Sequence, residues 1–196
     1  MPRPKSLPDA QVLDVAHRLI QDYGPQALTF ESVAKACGLS ASTLVQRFGT
    51  KAGLMQSALL RAWDKLDERT AELAATVPRS PDGAVRLLAE LSKSYGGIES
   101  YAEGLLVLRE DLRDPALRAR GTRWKAALSA ALEDRFAGIA GAPEGIGLMM
   151  AAQWQGALLW WGFDPRGDLA AFVEENLERF VSAVLPGRPG TSHVAG

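Results

Sequence analysis

Apolar residues recur along this 196-residue chain at intervals of three and four, the spacing that lines one face of an α-helix. Val12, Val15, Ala16, Leu19, Ile20 and Tyr23 form the first such stripe, and Gly24-Pro25 stops it. Thr29 is placed to cap a second helix with Glu31 in its first turn and Val33, Ala34 and Cys37 on its apolar side, ending at Gly38. Ser40 caps a third, short helix that runs to Phe48 and Gly49. Thr50 caps a longer one, with Leu54, Met55, Ala58, Leu59, Ala62, Trp63 and Leu66 on one face, reaching about Thr76 before Pro78 and Pro81. Further helices are predicted over Gly83–Tyr95, Ser100–Leu112, Pro115–Phe136, Pro143–Phe163 and Asp168–Leu185. No run alternates at period two, so the fold class is all-α.

The segment from Phe30 to Phe48 has the spacing of a helix-turn-helix. Two helices that cross closely need a small residue at the crossing, which Ala34 supplies, and the tight turn needs a residue tolerant of positive φ, which Gly38 supplies. Val33, Leu39, Leu44 and Phe48 are spaced to pack inward. With Leu44 and Phe48 inside, about 100° per residue places Ser42 and Gln46 outward, flanked by Thr43 and Val45. Hydroxyls and helix N-terminal amides hold phosphates, Gln makes a bidentate contact with adenine, and the Val45 methyls fit a thymine methyl. Lys51 stands where it meets backbone phosphate. On spacing alone, a plain three-helix packing unit with a polar surface remains open.

The stretch LDVAHRLIQDYGPQALTFESVAKACGLSASTLVQRFGTKAGLM carries more than that spacing. An amphipathic first helix, Tyr23-Gly24, Leu28-Thr29, Val33-Ala34, Gly38-Leu39-Ser40, Thr43-Leu44, Phe48, Lys51 and Leu54 follow one another in order. Over roughly residues 10–56 the chain resembles the DNA-binding domain of TetR-type transcriptional regulators. The resemblance implies a helix-turn-helix domain over 1–50 and a larger helical effector-binding and dimerisation domain over 51–186; the tail over 187–196 lacks apolar content and is expected to be mobile. It implies DNA contacts from Thr29, Ser40, Ala41, Ser42, Thr43, Val45, Gln46, Arg47 and Lys51, with Thr29 and Thr43 on phosphates. The chain departs from the family at Val45, where a phosphate-binding Tyr is common, and at Ala41, where Lys or Arg is frequent. Ser42, Gln46, Arg47 and Lys51 then carry a larger share of the contact.

Charge sharpens this picture. The formal net charge is −1, yet residues 1–65 hold 8 Lys+Arg against 5 Asp+Glu while the rest holds 14 against 18. The front third is mildly basic, which permits nucleic-acid contact, and the remainder is acidic.

For the remainder, Pro143–Phe163 is apolar nearly all round, and Asp168–Leu185 bears the broad stripe Leu169, Phe172, Val173, Leu177, Phe180, Val181 and Val184. Two such helices from each of two chains would make a four-helix interface, consistent with a homodimer that reads an inverted-repeat operator in double-stranded DNA. Trp63, Tyr95, Tyr101, Leu105, Leu108, Arg109, Trp124, Met149, Met150, Gln153 and Trp154 are the candidate ligand-binding residues. They suit a small, largely apolar or aromatic effector oriented by Arg109 or Gln153. By resemblance the protein is a ligand-responsive repressor; a regulator without a small ligand, controlled by a protein partner or acting as an activator, is the alternative.

Other classes find little support. Residues 145–163 are uncharged, but Gln153 and Gln155 sit at their centre and no Lys or Arg anchors the flanks, so a buried helix is expected rather than a membrane span. MPRPKSLPDAQ has no apolar run and does not read as a signal peptide. A single cysteine, Cys37, excludes an internal disulfide and fits a reducing cytoplasm. His17 and His193 are far apart in sequence, Cys37 falls on the inner side of its helix, and Gly141-Ala-Pro-Glu-Gly145 follows no strand, so no metal, cofactor or catalytic residue is expected and a small helical enzyme is disfavoured. Glu110, Asp111 and Asp114 form an acidic cluster expected to be solvated.

Overall fold

In the computed structural model, which describes residues 7–185, the chain forms α1 Asp9–Tyr23, α2 Phe30–Cys37, α3 Ala41–Phe48, α4 Lys51–Thr76, α5 Pro81–Ser92, α6 Ile98–Arg113, α7 Pro115–Glu133, α8 Ile146–Phe163 and α9 Leu169–Val184. No strand occurs among the described residues. The tail expected at 187–196, with His193, lies outside them. No helix of the described residues is long and apolar enough to cross a membrane.

The chain divides into two compact units. One ends its first stretch at Glu68 and resumes over Glu99–Trp124; the other holds Arg69–Ile98 and resumes at Lys125. This differs from a border at residue 50, and the core explains why. Leu54, Ala58 and Leu59 of α4 and Leu117 of α7 are buried in the same cluster as Val12, Ala16 and Ile20 of α1, Leu28, Val33 and Ala34, and Leu44 of α3. The first part of α4 is therefore a wall of the helix-turn-helix core, not an appendage to it. Tyr23, expected on the inner stripe of α1, is 64% exposed at its end.

Polar contacts add to this unit. Arg120 reaches Asp64 at 2.9 Å and Asp67 at 2.6 Å, and Asp14 meets Lys65 at 2.8 Å and Arg61 at 3.4 Å. Asp114 accepts from the Ala116 and Leu117 amides at 2.7 and 3.2 Å and from Gln56 at 2.7 Å. One member of the acidic cluster is thus the cap of α7, its carboxyl held low first by the Gln56 hydrogen bond.

In the second unit α9 packs on α5 and α8, with Leu87, Leu88, Ile146, Met150, Trp154, Leu158, Val173, Leu177 and Val181 buried. Ser92 accepts from the Trp154 indole at 2.8 Å and donates to the Leu88 carbonyl at 2.8 Å, so the buried indole is satisfied. Helix α5 starts at Pro81 rather than Gly83 because Ser80 caps it. Helix α8 starts at Ile146 rather than Pro143, and the Glu133 carboxylate takes up the Gly145 and Gly147 amides at 3.2 and 2.6 Å. An anion at that end also meets the positive pole of the helix.

Arg135 is almost fully buried, where Arg is seldom found. Its guanidinium donates to the Ala74 carbonyl at 2.7 Å and to the Ala131 carbonyl, near the C-terminal ends of α4 and α7. These are the negative ends of two helices, so dipoles meet the charge, with added attraction from the Asp134 carboxylate. Burial lowers the guanidinium pKa from its usual value.

Gly147 is a close backbone approach in this unit. A Cβ there would lie 2.1 Å from the Ser129 carbonyl oxygen and 2.7 Å from the Glu133 amide nitrogen, both backbone atoms that cannot step aside. Gly147→Ala should destabilise the protein by about 2 kcal/mol or more in urea denaturation, within the range of overpacking changes. Gly104→Ala in α6, where nothing lies within 4 Å of the new methyl, should be neutral or slightly stabilising.

Candidate DNA-reading face and effector residues

The reading element is built from three caps. The Thr29 hydroxyl accepts from the Ser32 amide at 2.9 Å and Ser32 Oγ accepts from the Thr29 amide at 3.0 Å, a reciprocal pair that starts α2. Ser32, not Glu31, completes the box. Gly38 adopts φ 66°, ψ 32°, and the Leu39 amide returns to the Ala34 carbonyl at 3.0 Å, closing the turn. Ser40 caps α3 by accepting from the Thr43 amide at 3.1 Å, and Thr50 caps α4 by accepting from Gly53 at 3.0 Å.

Leu44 is fully buried, which turns the opposite side of α3 outward. Ser42 and Gln46 are exposed and Val45 is 44% exposed, as the spacing predicts; Ala41 and Thr43 are half-buried beside them. The hydroxyls of Ser42 and Thr43 lie 2.9 and 2.8 Å from Ser40 Oγ, so three hydroxyls meet at the N-terminal end of the helix. Each hydroxyl has one proton and two lone pairs, so the group can still donate outward. Thr29, whose oxygen already accepts from Ser32, keeps its proton free to donate. Lys51 is exposed, with its ammonium 3.4 Å from the Gln26 carbonyl.

Arg47 behaves differently. Its guanidinium donates to the Leu7 carbonyl at 2.7 Å, lies 3.4 Å from Asp9, and is 23% exposed. It holds the start of α1 instead of projecting from the reading face. Cys37 is half-buried, and burial pushes its thiol pKa up, the opposite of what a nucleophile needs.

The eleven candidate ligand residues fall into both units. In the first, the Trp63 and Trp124 rings lie 5.7 Å apart, and the Trp63 indole donates to Asp111 at 3.1 Å. Tyr101 is buried, while Leu105 and Leu108 are 41% and 46% exposed and the Arg109 side chain is exposed, 3.1 Å from Glu110. In the second, Tyr95 and Trp154 rings lie 6.3 Å apart, Met150 is buried, Gln153 is half-buried and Met149 is exposed. A concavity of about 440 Å³ in the first unit is lined by Lys51, Ala52, Met55, Gln56, Leu59, Glu110, Asp114 and Leu117. Another of about 530 Å³ in the second includes Glu133, Phe136, Ile139 and Ile146. Neither is lined by any of the eleven. The Trp63–Asp111 and Gln56–Asp114 pairs were not foreseeable from sequence, because nothing local says that residues some fifty positions apart will meet. No group of residues able to hold a metal occurs among the described residues.

Residues 12–58, the helices and caps just described, match the family model for bacterial regulatory proteins of the tetR family. Over those residues the chain is similar to tetR-family regulators. The TetR-like fold extends over the rest of the chain. A transcriptional regulator from Rhodococcus sp. Rha1 is 17% identical with a TM-score of 0.74, covering 92% of this chain and 97% of that one. A protein from Saccharomonospora viridis, classed as a transcriptional regulator and solved in complex with choline, is 22% identical with a TM-score of 0.70, covering 88% and 94%. The multidrug binding protein EbrR, complexed with proflavin, is 22% identical with a TM-score of 0.59, covering 88% and 99%. No curated protein matches the chain.

Asp111 gives the chain a pH signature. Burial, first of all, raises its carboxyl from 3.8 to about 6, against the lowering effect of the Trp63 hydrogen bond; the neighbouring Asp114 charge raises it further. The folded protein therefore holds this proton more tightly than the unfolded chain. The associated stability is full below the unfolded value near 3.8 and is lost as pH rises through about 6. Asp111→Asn keeps an acceptor for Trp63, so it should be more stable than the parent at neutral pH, with the gain vanishing toward pH ~4. Urea midpoints at the two pH values read this directly.

Proposed function

We propose that this chain is a TetR-type regulator, a cytoplasmic repressor that binds an inverted-repeat operator as a homodimer and leaves it when a small, largely apolar or aromatic effector binds. The observation that carries the operator reading is the outward face of α3, where Ser42, Val45 and Gln46 are exposed over a buried Leu44. Gln46 reads an adenine edge, Val45 meets a thymine methyl, and Ser42, Thr43, Thr29 and Lys51 hold phosphates.

The homodimer is supported by α8. Leu148, Met149, Leu159, Trp160 and Phe163 are between 41% and 75% exposed on a helix that carries no charge, and soluble proteins seldom leave such a face to water. A second copy presenting the same face covers both, and the twofold axis sets two reading helices about 34 Å apart, one turn of DNA.

The effector is supported by the relatives solved with choline and with proflavin, and by aromatic pairs at Trp63–Trp124 and Tyr95–Trp154. Helix α4 starts at Lys51 and is tied to α6 and α7 through Trp63–Asp111, Gln56–Asp114 and Arg120 with Asp64 and Asp67. An effector that displaces α6 then moves α4, and with it the reading helix. Its differential affinity for the two arrangements sets the loss of DNA affinity.

The test is binding to the DNA flanking the gene, followed by fluorescence anisotropy over a salt series. Gln46→Ala should cost about 1–3 kcal/mol on the preferred sequence and relax discrimination at one base pair. Lys51→Ala should weaken all sequences alike and lower the salt slope by about 1 per reading head. Unchanged binding by both variants would refute this placement of the face.

A further inference from the structure

The concavity of about 440 Å³ in the first unit shares no residue with the eleven effector candidates, and its floor is apolar. Leu59 of α4 and Leu117 of α7 are almost fully buried members of the helix-turn-helix core, and Met55 packs against the same cluster. One wall is the end of α6. The Asp114 amide donates to the Glu110 carbonyl at 3.1 Å, so the two acids stand one helical turn apart on one face, with Cβ atoms about 5–6 Å from each other. Asp114 Oδ1 takes the Ala116 and Leu117 amides and Oδ2 takes the Gln56 amide; a carboxylate oxygen accepts two bonds, so Oδ2 has room for one more donor. The Gln56 hydrogen bond, first of all, holds this carboxyl below its usual value and therefore ionised. Glu110 meets Arg109 at 3.1 Å and Arg113 at 4.0 Å through Oε1, from well-exposed side chains that do not line the concavity, which leaves Oε2. The facing wall, α4, offers the neutral Gln56 amide and, at its start, Lys51, whose ammonium lies 3.4 Å from the Gln26 carbonyl. Two carboxylates thus stand against one ammonium over an apolar floor.

We propose that this concavity binds a small organic cation, a primary ammonium carried on a compact apolar body. The ammonium sits between Glu110 and Asp114 and donates to both, while the body lies on Met55, Leu59 and Leu117. Charge complementarity selects this occupant. Like charges at i and i+4 repel, and a cation between them relieves that repulsion, whereas a neutral molecule of the same shape leaves it and an anion adds to it. The apolar floor excludes water from one side of the pair, which strengthens the attraction above that of an exposed ion pair. The volume falls within the roughly 300–1,000 Å³ of small-molecule sites. This site goes beyond the function proposed above and does not depend on it, since it uses neither the outward face of α3 nor the aromatic pairs.

The experiment is titration calorimetry on the full chain without DNA at neutral pH. Phenethylamine is the probe, and 2-phenylethanol, phenylacetate and methylamine are its neutral, anionic and bodiless counterparts. Phenethylamine should bind saturably, one per chain, and about tenfold or more tighter than any of the three. Glu110→Gln and Asp114→Asn should each weaken it roughly fivefold to tenfold, since they remove charge and keep shape. Asn still accepts the amides that start α7, and melting of the unliganded variants checks that cap. If Asp114→Asn melts early, Glu110→Gln decides alone. Ala52→Phe, at an exposed position on the lining, should abolish binding and leave the melting temperature unchanged. No binding of phenethylamine, equal binding of the alcohol, or full affinity in Glu110→Gln or Ala52→Phe would overturn the proposal. Because no DNA takes part, failure here leaves the operator reading standing, and failure of operator binding leaves this result untouched.

Discussion

Leu44 fixes the orientation of the outward face of α3. An eight-residue helix is too short to persist in water alone, since nucleation is unfavourable and only a few hydrogen bonds follow it. Helix α3 exists because its one fully buried side chain drops into a cluster made by α1, α2 and the start of α4. Full burial of a leucine contributes roughly 1.5–3 kcal/mol, comparable with the cap that Ser40 provides. Once Leu44 is inside, rotation of about 100° per residue leaves Ser42, Val45 and Gln46 no position except outward. The site is a by-product of the core, and its precision is that of the packing.

The same dependence accounts for the electrostatics. Several acids within the first unit are answered locally: Asp14 by Lys65 and Arg61, Asp9 by Arg47, Asp64 and Asp67 by Arg120. Exposed cations such as Arg18, Lys35 and Lys51 are thereby left as the net field of a chain whose formal charge is −1. Under the proposed function a modest positive front suffices, because hydroxyls and helix N-terminal amides add directional phosphate contacts without adding charge.

The helix-turn-helix was legible in the sequence because its determinants are local. Thr29, Ser40 and Thr50 each cap the residue two or three places on, Gly38 must take a positive φ, and Ala34 must be small; each of these is a statement about a handful of neighbouring positions. The side-chain interactions that shape the rest are not local. Asp111 looked like a solvated acid but is half-buried against Trp63, Asp114 turned out to be a cap, and Arg47 is drawn back to a carbonyl forty residues earlier. The aromatic and methionine positions could be recognised as apolar, yet which of them meet depends on tertiary packing. Trp63 finds Trp124 and Trp154 finds Tyr95, while Leu105, Leu108 and Met149 face solvent.

The central claim is that the face opposite Leu44 enters the major groove as one of a symmetric pair. Guanine N7 methylation interference on the bound operator tests it most directly, because that atom lies in the major groove. The account predicts two clusters of interference related by a dyad and centred about 34 Å apart, on one side of the duplex. A single cluster, or full binding to DNA methylated throughout the site, would contradict it.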